Sequence, residues 1–184
     1  MSASYAGRLL VATPVLTEPT FDRTVILLIA HEEDGAFGVV INRVSDVSLG
    51  VTLPEWAALA TEPASVFRGG PVADDAAICL ARMRGGEPPG WTALDGGRLG
   101  TLDLATSAAQ MKPYVSELRV FAGYAGWGAG QVDAEIAMNA WVIADTSPED
   151  VFTDQPASLW SRVLRRQNGL IAAMANYPPD PALN

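Results

Sequence analysis

The chain has 184 residues, 49% hydrophobic and 18% charged, a globular composition long enough for one domain with a sizeable core. A net charge of −9 and a pI near 4.4 repel phosphate backbones, which argues against non-specific binding to nucleic acid or anionic membrane. One cysteine, Cys79, excludes an intrachain disulfide, and one cysteine with one histidine leaves no thiolate–imidazole set for zinc.

Residues 7–13 read as a first strand, followed by a loop over 14–22 punctuated by Pro14 and Pro19. Residues 24–30 and 36–42 are apolar on both faces, as central strands covered on each side would be. Only a short acidic turn ending at Gly35 separates them, which predicts an antiparallel hairpin with a positive φ at that glycine. Thr52 and Glu55 fit a capping box for a short helix through Ala60. Residues 65–67 and 76–82 read as strands flanking the Arg68-Gly-Gly-Pro-Val72 corner. Residues 85–97 carry five glycines and two prolines and predict a loop, with a short strand at 91–94 and an edge strand at 98–102.

Asp103 is placed as the N-cap of a helix over 104–111, stopped by Pro113. A strand at 118–121 then leads into Phe121-Ala-Gly-Tyr-Ala-Gly-Trp-Gly-Ala-Gly-Gln131, where Gly123, Gly126, Gly128 and Gly130 surround Tyr124 and Trp127. This reads either as a tight corner packed under Trp127 or as a glycine turn offering N–H groups to an anion at a helix start. A helix is expected over 131–140 and a strand over 141–144. Another helix follows over 156–168, with Leu159, Trp160, Val163 and Leu164 inward and Gly169 as terminator. Residues 1–176 are expected to form one domain, and the Pro-rich residues 177–184 a flexible tail. Irregularly interleaved helices favour an α+β domain with a mixed, largely antiparallel sheet flanked by helices.

No run reaches the length of a membrane span, and the N-terminus lacks a basic stretch followed by an apolar core, so a soluble, cytoplasmic protein without membrane attachment is expected. Neither a phosphate-binding Gly-x-x-x-x-Gly-Lys-Ser/Thr loop, a Gly-x-Gly-x-x-Gly between strand and helix, nor a Gly-x-Ser-x-Gly elbow occurs, and no metal or cofactor is expected. Asp133 and Glu135 fall on opposite sides of their helix, whereas Gln131 and Glu135 share a face and explain each other by a hydrogen bond. His31 is read as closing the hairpin by a hydrogen bond, with a general base as the alternative. Cys79 is read as a buried, inert thiol, and the pair Asp74 and Asp75 as a solvated turn or cap. If residues 24–30 and 36–42 pair, Arg23 and Arg43 fall at one end of the sheet. There, with Asn42, Arg68 and glycine N–H groups, they could bind a carboxylate or phosphate, unless each simply pairs with an acidic neighbour. The candidate site is therefore Arg23, Asn42, Arg43, Arg68, Gly69, Gly70, Gly123, Tyr124, Gly126, Trp127, Gln131 and Glu135.

Three motifs carry a resemblance. Gly7-Arg-Leu-Leu-Val-Ala-Thr-Pro14 with Phe21-Asp-Arg-Thr-Val25, His31, Gly35-Ala36 and Asn42-Arg43 resembles the N-terminal signature of the AlgH/YqgE family of bacterial proteins. Arg68-Gly-Gly-Pro-Val72 is similar to its middle motif. Gly123-Tyr-Ala-Gly-Trp-Gly-Ala-Gly-Gln131 with Glu135 and Trp141 is similar to its C-terminal motif. Val44 stands where a proline often follows Asn-Arg, Ala81 where a histidine is often found, and Gln131-Val-Asp133 where Gln-Leu-Glu is usual. The resemblance implies a compact α+β domain with a mixed sheet in the bacterial cytoplasm. It also implies a regulatory or binding role, since some members are described as transcriptional regulators, but supplies no activity. The expectation is a non-enzymatic protein acting through a protein partner or a small anionic ligand, without direct DNA contact. The alternative is an enzyme on a small anionic substrate, with the arginines as clamp and Glu135 or His31 as base. Direct DNA binding ranks third.

Overall fold

The structure, a computed structural model, describes residues 4–94 and 96–179. Strands β1 (Leu9–Ala12), β2 (Val25–Glu32) and β3 (Gly35–Val40) form an antiparallel meander. Their side chains alternate between two buried clusters. Leu9, Val11, Leu27, Val39 and Ile41 enter one, and Leu10, Ala12, Ile26, Leu28 and Val40 the other, so these strands are covered on both faces as their composition demands. The β2–β3 turn closes at Gly35 with a φ of +153°.

Beyond β3 the chain forms β4 (Val44–Ser48), α1 (Leu49–Thr52), α2 (Pro54–Ala57), β5 (Ser65–Arg68) and β6 (Val72–Met83). The short strand β4 is not anticipated by the sequence reading. The expected capping box at Thr52 and Glu55 does not form. Pro54 disfavours helical angles at the residue before it, and Leu53 adopts φ −139° and ψ 66°. One helix therefore becomes two single turns, and the Thr52 hydroxyl donates back to the Ser48 carbonyl at 3.3 Å.

Next come β7 (Trp91–Ala93), β8 (Leu99–Leu102), α3 (Ala108–Met111) and β9 (Val115–Gly128). Helix α3 starts at Ser107, whose side chain accepts from the Gln110 N–H. Asp103 instead holds the preceding turn, accepting from the Ala105 N–H at 2.8 Å. Serine and aspartate compete for such local amides, and here Ser107 takes the cap. The last elements are α4 (Gln131–Ala137), β10 (Trp141–Ala144), α5 (Pro148–Val151), α6 (Leu159–Arg165) and α7 (Gly169–Ala173). A capping box that the sequence reading overlooked lies at Ser147 and Asp150. Helix α6 ends at Arg165, and Gly169 (φ +61°), expected as the terminator, instead opens α7.

The strands join in the order β10-β1-β2-β3-β9-β6-β8-β7, with β4–β5 attached to β9. Every pairing among the described residues is antiparallel except β5 with β9, so the single curled sheet is mixed but largely antiparallel. Helices α5 and α6 cover one face through Val151, Leu159, Trp160 and Val163. Helix α4 covers the second face at the β1–β3 end, and Leu49, Trp56, Ala108 and Met111 cover it at the β6–β9 end.

The glycine-rich segment is not a corner. It is the second half of the 14-residue strand β9. Beyond Phe121 this strand pairs with three partners: β5 at Phe121 and Ala122, β6 out to Tyr124, and β3 from Ala125 to Gly128. Small residues are what allow so many backbones to crowd one strand.

Candidate functional site

Gly123 is the pivot of this arrangement. Its φ is +72°, and a Cβ there would lie 2.5 Å from the Gly70 carbonyl oxygen and 3.0 Å from that of Val72. Gly70 in turn approaches Tyr124 so closely that a Cβ would lie 2.1 Å from its carbonyl carbon. The Gly69 N–H donates to the Ala122 carbonyl and the Val40 N–H donates to the Gly69 carbonyl, which wedges the Gly-Gly corner between β3 and β9. Opposite this crossing β6 loses register. Val72 pairs with Tyr124 and Ala77 with Ala122, so residues 73–76 arch outward past a single residue of β9, with Ala73 at φ +47°.

The arch is one wall of a cleft of ≈ 690 Å³. Its floor is apolar, lined by Val66, Phe67, Val120, Ala122 and Ala77, and Leu53 from the α1–α2 break closes one end. Arg68, Asp74 and Asp75 supply the charged side chains that line it. The Arg68 guanidinium is exposed and, among the described residues, makes no ion pair and donates no hydrogen bond.

The other predicted arginines are already engaged. The Arg43 guanidinium donates to the carbonyls of Thr20 (2.7 Å), Pro19 (2.8 Å) and Asp22 (3.0 Å). Burial lowers its pKa, Asp22 offsets part of that, and nearby Arg68 lowers it further. Arg23, at φ +53°, donates to the Tyr177 carbonyl and lies 4.4 Å from the centroid of the Trp160 ring. Residues 177–179 pack around it, while 180–184 lie outside the described residues. Asn42 ties β3 to β2, accepting from the Val25 N–H and donating to the Arg23 carbonyl, each at 2.9 Å. Arg23, Asn42, Arg43 and Arg68 do meet at one end of the sheet, but only Arg68 turns its charge outward unpartnered.

Trp127, Gln131 and Glu135 form a separate cluster with Trp141. Glu135 Oε2 accepts from the indole N–H of Trp127 (2.9 Å) and of Trp141 (2.8 Å), and Oε1 accepts from Gln131 Nε2 (2.9 Å). The Gln131 side-chain oxygen accepts from the Gly128 N–H at 3.0 Å, which ties the first residue of α4 back to the end of β9. Trp127 is buried, edge-to-face with Trp141, and is a core residue rather than an open platform. Gly126 pairs with Phe37, and Tyr124 packs its ring edge-on against the same phenylalanine.

His31 does not close its hairpin. Its Nδ1 accepts from the Tyr5 N–H at 3.0 Å, which assigns the proton to Nε2, and Nε2 donates to Asp133 at 3.2 Å. The Tyr5 ring stacks on the imidazole with centroids 5.2 Å apart. Cys79 is buried as expected, and burial pushes its thiol pKa up.

Two features escaped the sequence reading. Arg119 is 1% exposed and donates to the carbonyls of Val151, Thr153 and Glu62, with its guanidinium 4.3 Å from the Phe67 ring centroid. A lone charge inside the apolar run Leu118-Arg-Val-Phe121 was the available signal. Asp74 and Asp75, read as a turn, line the cleft with Arg68 because of the β6 arch, which no sequence pattern announces.

Residues 9–172 match a family model described as AlgH-like (DUF179). UPF0301 protein SCO2948 of Streptomyces coelicolor is 47% identical over 187 residues, covering 99% of this chain and 96% of that protein. UPF0301 protein ML0028 of Mycobacterium leprae is 44% identical, covering 97% and 90%. Among solved structures, protein DIP2367 of Corynebacterium diphtheriae superposes with a TM-score of 0.89 at 31% identity, covering 96% of this chain and 94% of that one. The AlgH protein of Pseudomonas aeruginosa superposes with a TM-score of 0.65 at 28% identity, covering 92% and 98%.

Proposed function

The chain belongs to the AlgH-like family, and from that premise we propose that it is a non-enzymatic, regulatory binding protein of the bacterial cytoplasm whose ligand site is the Arg68 cleft. The observation that carries this reading is the single unpartnered guanidinium of Arg68 in a cleft of ligand size, while Arg23 and Arg43 spend their donors on the protein's own carbonyls. A cation left without a partner beside an apolar floor is arranged to receive an anionic group. Glu135 and His31 do not line this cleft, and each is held by tryptophan, glutamine, tyrosine or aspartate partners, an arrangement that suits structure better than proton transfer. A regulatory output then passes through a protein partner or the small ligand, since a net charge of −9 opposes the approach of a phosphate backbone.

A thermal-shift screen against carboxylates, sugar phosphates, nucleotides and divalent metals tests it. A ligand at about a hundred times its Kd stabilises by roughly 2.7 kcal/mol, or roughly 5–11 °C for a chain of this size. The expected result is a shift with a small anion that disappears in Arg68→Ala. Arg68 is the residue to change, because Arg43→Ala would also free three loop carbonyls. A shift that survives Arg68→Ala, or none with any carboxylate-bearing ligand, peptides included, would overturn the assignment.

A further inference from the structure

The cleft carries charges of both signs. Arg68 and the pair Asp74 and Asp75 line it together, yet among the described residues no ion pair joins Arg68 to either carboxylate. Opposite charges that share a cleft without touching leave room for a ligand that bridges them. A dianionic or polyphosphate ligand would meet two carboxylates for one guanidinium in a chain of net charge −9, so the charge pattern disfavours nucleotides and sugar phosphates. A molecule carrying one carboxylate and one ammonium, separated by more than ion-pair distance, matches both ends.

The space between the charges is also specified. The floor is lined by Val66, Val120, Ala122 and Ala77, is apolar, and suits aliphatic groups. The arched residues 73–76 are exposed beside the cleft and have no register partner on β9. An exposed, irregular stretch of strand of this kind offers main chain to the amides of an extended ligand. At ≈ 690 Å³ the cleft exceeds what a single amino acid fills.

Resting on the reading of the cleft as a ligand site, we infer that its ligand is a free short peptide with apolar side chains. The terminal carboxylate lies on Arg68, the terminal ammonium faces Asp74 and Asp75, and the internal amide runs along the β6 arch. Only a free peptide, not a segment of a folded partner, presents both charged termini within one cleft.

Isothermal titration of the full chain with leucyl-leucine, its N-acetyl form and its C-terminal amide provides the test. Unmodified dipeptide is expected to bind, and blocking either terminus to weaken binding about tenfold or more, as loss of a charge-assisted hydrogen bond does. In the doubly substituted Asp74→Asn, Asp75→Asn chain, acetylation should cause no further loss. In Arg68→Gln, amidation should cause none. Unchanged melting temperatures would establish that these exposed substitutions leave the fold intact. If acetate or phosphate shifts the melting temperature in an Arg68-dependent way but neither terminus of the dipeptide matters, the peptide inference falls and the anion site stands. Dipeptide binding that ignores Arg68 overturns both, as does an absence of any binding.

Discussion

At the residue scale the informative contrast is between two arginines. Among the described residues, Arg68 is exposed and unpartnered, whereas Arg119 is buried with three carbonyl acceptors and no carboxylate in contact. Burial lowers the Arg119 pKa to about 10, opposed by the fields of Glu117 and Asp154, and its Nε lacks a partner. Such a group is tolerated because its fork reaches the loops at Glu62 and Val151–Thr153 at once, joining them to β9. Arg119→Met should destabilise the protein by on the order of 3 kcal/mol, since it strands buried carbonyls. Arg119→Lys should recover little, because a single ammonium cannot span three acceptors held by a planar fork. Urea unfolding midpoints of the two variants check this, and a lysine variant as stable as the parent would refute the role assigned to the fork.

At the level of elements, β9 decides the architecture. Gly123 and Gly126 lie three residues apart on it, yet they are not equivalent. A Cβ at Gly126 would meet little but the Tyr124 ring, at 3.5 Å, whereas at Gly123 it meets the backbone of Gly70, Val72 and Asp74 at a φ of +72°. Gly123→Ala should therefore cost about 2–3 kcal/mol, and Gly126→Ala less than about 1 kcal/mol. Thermal melts of the pair read the difference directly, and equal costs would mean that the crossing of β5, β6 and β9 is not what fixes Gly123. The same strand shows how far the sequence could be read. Strands β1 to β3 were legible because branched apolar residues alternate into two cores. The second half of β9 was not, because glycine carries no side chain whose burial could declare a strand, and its partners come from three distant segments. The candidate site divided the same way. Gln131 and Glu135 could be paired from helical spacing, and the convergence of Arg23, Asn42 and Arg43 followed from the hairpin. Which guanidinium stays free depends on where residues 19–22 and 177 place their carbonyls, and that is set by tertiary packing alone.

Over the whole molecule, charge is what distinguishes the proposed ligand-binding role from direct DNA contact. Of the 12 lysines and arginines, Arg8, Arg82 and Arg166 are held in ion pairs, Arg119 is buried, and Arg23 and Arg43 serve backbone carbonyls. Arg162, Arg165 and Arg166 do gather beside α6, but Glu149 and Asp150 line the same surface and offset them. Six of the cations are thus engaged by the protein itself, and the net charge of −9 opposes the approach of a phosphate backbone. Two consequences can be measured on the same sample. Duplex DNA should show no mobility shift even at about 50 mM salt, where a protein making several phosphate contacts would bind far more tightly than at physiological strength. Raising the salt should increase the melting temperature modestly, because screening relieves the repulsion among excess carboxylates more than it weakens the few surface ion pairs. A retarded DNA band at low salt together with a melting temperature that falls as salt rises would mean that the cations are organised as a face, and the regulatory role would then belong to direct DNA contact rather than to the Arg68 cleft.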